Sequence, residues 1–185
     1  TMEEHPLEFE EQEFRLSSVP PFAWRRAHVQ LEHTIFNFVT VYNDYEKRFA
    51  EFLDTRPDVL RWAALAEQFT RFNVTYLNAN GALKRYYPDF LAVQSTPGGE
   101  VNWILETKGR VFADAAYKEK GIRAWCDALH AQTGQEWRYR RIDQLVFDKG
   151  QYATFDALIA AVDSAQVPAP PLDLTAPPPE SVATA

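Results

Sequence analysis

Asp89, Glu106 and Lys108 are the residues whose types and spacing could do chemistry together. They lie on two strand-like runs, residues 85–93 and 101–107, separated by the turn-rich Gln94-Ser95-Thr96-Pro97-Gly98-Gly99-Glu100. A hairpin centred on that loop sets Val93 against Asn102, Leu91 against Ile104 and Asp89 against Glu106. Opposed residues share one face of a sheet, with Cβ atoms about 5 Å apart. Alternation along the strand adds Lys108 to that face. Two carboxylates directly opposed repel unless a positive charge lies between them. A divalent cation suits the place, because Mg²⁺ prefers one or two carboxylates completed by water and phosphate oxygen. Lys108 then stands where an ammonium can orient or deprotonate a water, or neutralise charge developing on a phosphate.

Glu46 is a third acid. It lies four residues after Tyr42, on the apolar stripe of an expected helix, where a carboxylate needs a partner. The same metal is one partner. The other reading is a capping box, with Asn43 as N-cap and Glu46 three residues on. Plainer readings also exist for the rest. Asp89 after Pro88 suits a turn, and Glu106 with Lys108 suits a surface charge pair, although neither explains a shared face.

The elements that must position these residues alternate in type. Residues 34–41 read as a strand or extended lead-in, and residues 43–53 as a helix with Tyr45, Phe49, Phe52 and Leu53 at helical spacing. A second helix is expected over residues 58–69, with Asp58 as N-cap. Strands follow at 72–76, 85–93 and 101–107, then a helix at 113–131 that buries Ala115, Ile122, Trp125, Cys126 and Leu129. A strand at 136–142 and a helix at 152–162 close the pattern. The order α-α-β-β-β-α-β-α predicts an α/β domain with a mixed central sheet flanked by helices.

The 185 residues, 46% hydrophobic and 14% aromatic, suffice for one core and exclude a disordered chain. Residues 1–18 read as an acidic extension, 19–165 as the folded domain, and 166–185 as a Pro/Ala-rich tail or linker, so the chain is expected to be part of a longer protein. The net charge of −7 misleads about partners. Residues 1–16 hold six acids and one base and residues 168–185 two acids and no base, which leaves 18 of each between them. A neutral domain can still present a basic face to nucleic acid. The single cysteine, Cys126, excludes an internal disulfide and a Cys-based zinc site, and reads as a small packed hydrophobe. No apolar run is long enough for a membrane span and the N-terminus is no signal peptide, so the expected location is cytoplasmic.

With Pro88-Asp89, a gap of 16 residues and then Glu106-Thr107-Lys108, the sequence resembles the PD-(D/E)XK nuclease superfamily. Tyr42-Asn43 with Glu46 and Phe49, Tyr87-Pro88-Asp89-Phe90, Glu106-Thr107-Lys108-Gly109 and Trp125-Cys126 bring it closer to one group. They resemble the C-terminal endonuclease domain of type III restriction enzyme Res subunits and related helicase-linked nucleases. The similarity spans residues 41–142. It implies a restriction-endonuclease-like core that cleaves double-stranded DNA with Mg²⁺, Mn²⁺ substituting. It further implies Asp89, Glu106 and the Thr107 carbonyl as metal ligands, Lys108 as catalytic lysine and Glu46 as first-helix acid. The implied partners are a helicase/ATPase region of the same full-length chain and a modification (methyltransferase) subunit of a restriction-modification system. There is no Gly-x4-Gly-Lys-Ser/Thr loop, hence no ATP site in this chain.

Candidate phosphate contacts are Lys84, Arg85, Lys118, Arg138 and Arg140, the last two alternating with Tyr139. A solvated strand edge is the plainer reading of Arg138 and Arg140, and Lys118 falls on the helix stripe facing the sheet. His28 and His33 have a poor spacing for one helical face and no acid-His metal motif. Two further readings of function stand beside the nuclease: a non-catalytic nucleic-acid-binding or assembly module of the same fold, and a DNA-repair-type nuclease.

Overall fold

The expected hairpin is the centre of the fold. In the computed structural model, which describes residues 15–78, 80–108 and 115–165, strands β6 (Phe90–Thr96) and β7 (Gly99–Lys108) pair antiparallel across Pro97-Gly98. Leu91 lies opposite Ile104 and Val93 opposite Asn102, in the register anticipated from the loop. The strands run further into that loop than its turn-forming composition suggests. The Thr96 hydroxyl ties the turn by donating to the Gly99 carbonyl at 2.7 Å and accepting from the Gly98 N–H at 3.2 Å. Gly99 takes φ of 119°, a conformation that side chains disfavour.

Strand β3 (Val59–Ala64) pairs antiparallel with β6, and β8 (Glu136–Asp143) pairs parallel with β7. The resulting four-stranded sheet has the order β3-β6-β7-β8 and is mixed, as the α/β reading expects. Two small ribbons stand apart from it. One joins β1 (His28–Val29), which was not expected, to β2 (Val39–Thr40), within the expected lead-in at 34–41, and the other joins β4 (Val74–Leu77) to β5 (Leu83–Tyr86). The helices are α1 (Asp44–Thr55), α2 (Glu67–Thr70), α3 (Ala115–Thr133), α4 (Gln144–Lys149) and α5 (Phe155–Ala165). None of the described helices is long and apolar enough to cross a membrane. Of the expected acidic extension only residues 15–18 are described, and the expected tail at 166–185 lies outside the described residues.

Three expectations about elements need correction. The helix expected over 58–69 is β3 followed by the single turn α2. Helix propensity at Ala63-Ala64-Leu65-Ala66 yields here to ladder pairing and to burial of Trp62, Ala63 and Ala64. Asp58 is a helix cap all the same, but of α5. Its carboxylate accepts from the N–H groups of Phe155 at 2.8 Å and Asp156 at 2.9 Å. The strand expected over 85–93 breaks at Pro88, which has no N–H to give a ladder. Residues before the break pair with β4, and those after it with β3 and β7. The helix α4 was not anticipated.

Each face of the sheet carries its own core. Tyr45, Phe49 and Leu53 of α1 and Phe155, Leu158 and Val162 of α5 cover Phe90, Ala92, Val101, Trp103 and Leu105. On the other face Ile122 and Cys126 of α3, with Val74 and Tyr86 of the β4–β5 ribbon, cover Ile104 and Tyr139. A side chain at Gly121 would collide with Tyr76, so this glycine is what lets α3 press against β4.

A buried carboxylate at the open end of the hairpin

Glu106 lies near the end of β7, on the α3 side of the sheet, and is 1% exposed. A carboxylate buried alone would cost several kcal/mol. Here Nζ of Lys118, from the first turn of α3, lies 2.6 Å from both carboxylate oxygens. The Tyr139 hydroxyl, from β8, donates to Oε2 at 2.7 Å. The Lys118 ammonium also sits over the Tyr86 ring, 4.4 Å from its centroid. Burial, and then the Glu106 carboxylate, push both the Tyr86 and Tyr139 phenols above their ordinary range, so both stay protonated. The Tyr86 hydroxyl is buried beside the same carboxylate. The arrangement is a cation seat: a carboxylate held by charge on one side and a phenol on another.

Asp89 sits between Pro88 and the start of β6. The ladder with β7 ends at Phe90 and Leu105, so Asp89 and Glu106 do not form a ladder pair. The Asp89 carbonyl accepts from the Leu65 N–H at 2.8 Å. Its Oδ2 accepts from the Thr107 N–H at 2.7 Å and from the Thr107 hydroxyl at 3.0 Å. Asp89 is thus tied to Thr107, the neighbour of Glu106 on β7, and each carboxylate has its own partners. Near Asp89 stands Tyr42. Its phenol is pushed up by burial, drawn down by Arg26, whose guanidinium lies over the ring, and pushed up again by Glu46, Glu67 and Asp89.

Glu46 takes the capping arrangement. Its N–H donates to Asn43 Oδ1 at 2.8 Å, while its carboxylate accepts from the Tyr42 N–H at 2.8 Å and from Asn43 Nδ2 at 2.6 Å. The Lys108 backbone pairs with Asp143 at the end of the parallel ladder, and its side chain lies outside the described residues. Among the expected phosphate contacts, Lys84 and Arg85 stand exposed on β5. Arg138 is exposed but bonds Glu136 at 3.0 Å. Arg140 is largely covered and paired with Asp163 at 2.8 Å. Lys118 is turned inward onto Glu106.

Sequence reasoning missed Tyr86, Tyr139 and the pairing of Lys118. A signal for the last was present. Lys118, Ile122 and Cys126 are spaced by four, so an inward lysine shares the buried stripe of α3 and demands an acid. A separate cleft lined by Arg48, Phe52, Arg56, Phe147 and Tyr152 belongs to the α1 side of the sheet, and an Arg48–Asp148 ion pair crosses it.

Asp89, Glu106 and the Thr107 carbonyl offer hard oxygen donors of the kind Mg²⁺ takes. The charge seated on Glu106 is that of Lys118, and among the described residues no three His, Cys, Asp or Glu side chains are grouped to hold a metal. No protein-family model, no curated protein and no solved structure matches the chain.

Proposed function

We propose that the chain is a Mg²⁺-dependent endonuclease domain with a restriction-endonuclease-like core, hydrolysing phosphodiester bonds of double-stranded DNA. We assign it to the cleavage module of a type III-like restriction enzyme, acting in the cytoplasm beside a helicase/ATPase region and a modification subunit. The observation that carries the reading is the cation seat at Glu106, one residue from the Thr107 tie to Asp89 and two before Lys108. A strand end that buries a carboxylate against a positive charge is built for electrostatics at some cost to stability.

Asp89, Glu106 and the Thr107 carbonyl would hold the metal, which when bound lowers the pKa of a water and screens the scissile phosphate. Lys108 follows on the same strand and orients the attacking water or neutralises charge gathering on the phosphate. The Thr107 hydroxyl and N–H fix one Asp89 oxygen, which limits the rotations that carboxylate can make. Lys84 and Arg85 contact the DNA backbone without reading bases, so affinity falls steeply as salt rises.

One observation favours a second reading, a non-catalytic nucleic-acid-binding module of the same fold. Lys118 already satisfies Glu106 without a metal. Calorimetric titration of Mn²⁺ into the chain, with a DNA duplex present, separates the two. The nuclease reading expects saturable binding that is lost in both Asp89→Ala and Glu106→Ala. No binding at millimolar Mn²⁺ leaves the module reading.

A further inference from the structure

Lys118 contacts Glu106 in a way no surface ion pair does. Its ammonium is equidistant from the two carboxylate oxygens, at 2.6 Å, and only 20% of its side chain is exposed. The Tyr86 ring forms one wall of its position and the Tyr139 hydroxyl takes Oε2. A point charge spanning both oxygens takes the place that a bidentate cation would take. Two cations cannot share it, because unit charges about 4 Å apart repel by several kcal/mol even at intermediate dielectric.

We propose that Lys118 is the resident counter-ion of Glu106, and that a divalent cation binds there by exchange, expelling the ammonium. The inference rests on the metal-dependent reading above and adds what controls it: the site is charge-balanced without metal and binds metal weakly for that reason. Lys118 is therefore a positioning residue, holding Glu106 and α3 together until the exchange. Its position on α3 suits the role. Ile122 and Cys126, one and two turns on, anchor the helix in the core, so the flexible lysine stem can leave Glu106 without disturbing the packed stripe.

The test compares wild type, Lys118→Met, Lys118→Arg and the double variant Lys118→Met/Glu106→Gln by Mn²⁺ calorimetry and by thermal melting with and without Mn²⁺. Lys118→Met should bind Mn²⁺ at least about tenfold more tightly than wild type, as removal of a neighbouring unit charge requires. Its lowered melting temperature should rise with millimolar Mn²⁺ by more than that of wild type. Lys118→Arg, which keeps the charge, should stay as weak as wild type, and the double variant should show neither effect. If Lys118→Met folds only when Mn²⁺ is added, that is the same result in a stronger form, and a chain that stays unfolded in Mn²⁺ overturns the proposal. Equal Mn²⁺ affinity in wild type and Lys118→Met, lost on Glu106→Gln, overturns the exchange and spares the metal site. Absence of Mn²⁺ binding and of any melting shift in every variant overturns both.

Discussion

The two faces of the central sheet are built from different materials. On the α1 and α5 side, Phe49, Trp62, Phe90, Trp103 and Phe155 are buried, and their rings meet edge-on, Phe49 to Phe90 at 5.2 Å and Trp103 to Phe155 at 5.6 Å. Trp103 Nε1 there donates to Gln94 Oε1 at 2.9 Å. The α3 side has a smaller core, and its edge holds a charged pair. Close aromatic packing supplies stability with no constraint on charge. A buried ion pair supplies little net stability and a strong field. One face thus holds the fold mainly by aromatic packing, its buried Asp54 accepting from neutral donors such as Trp62 Nε1, while the other holds a carboxylate against a cation.

Five substitutions, one double variant and one titration test that contrast. Phe49→Ala, on the packed face, should cost about 3–5 kcal/mol in urea unfolding. Lys118→Met, on the charged face, should cost about 2–3 kcal/mol, reduced from the fully buried case because the lysine is partly exposed. Glu106→Gln should cost less than Lys118→Met, since a stranded lysine can reach water and a stranded Glu106 cannot. The double substitution should recover most of the loss, and a cycle showing no coupling would dissolve the contrast between the faces. Asp58→Ala, which strips the acceptor from the Phe155 and Asp156 N–H groups but leaves the Thr154 hydroxyl on the Ala157 N–H, should cost about 1–2 kcal/mol. Glu46→Gln keeps most of the capping geometry and should cost under about 1 kcal/mol. A collapse of metal binding in that variant would instead place Glu46 at the metal.

Alkaline titration reports the charged face by another route. The Tyr86 and Tyr139 phenols are raised above the ordinary phenol value of 10.0. The folded chain then holds these protons more tightly than the unfolded chain. Their contribution is complete below about pH 10 and is lost as pH climbs through the raised values. Melting temperature should fall above pH 10, and less steeply in Glu106→Gln, where the carboxylate's share of the shift is gone.

What was legible in the sequence follows from which forces act locally. The β6–β7 register could be read because Pro97-Gly98 centres the loop and alternation does the rest. The Asn43 cap and the Ile122, Trp125 and Cys126 part of the α3 stripe could be read because each is set within a few residues, whereas Leu129 stays outside the core cluster and the Ala115 side chain lies outside the described residues. β3 could not, because Ala63-Ala64-Leu65-Ala66 favours a helix, and the partner that overrides it, β6, lies some 30 residues on. The opposition of Asp89 and Glu106 was read by extending the ladder one residue beyond its end, where Thr107 bonds the Asp89 carboxylate instead. The Tyr139 hydroxyl on Glu106 depends on the parallel pairing of β7 with β8, a long-range choice that no local pattern announces.

The most direct measurement is cleavage of supercoiled plasmid by this chain in Mg²⁺, beside Asp89→Asn, Lys108→Ala and an EDTA control. Wild type should nick the plasmid, EDTA should abolish this, and Asp89→Asn should be reduced by about ten- to a hundredfold, as for loss of a group that holds or orients a metal ligand. Lys108→Ala should be reduced by a similar factor with Mn²⁺ binding retained. Cleavage that persists in EDTA or in Asp89→Asn, or a wild type that binds Mn²⁺ and DNA together yet leaves the plasmid intact, would contradict it.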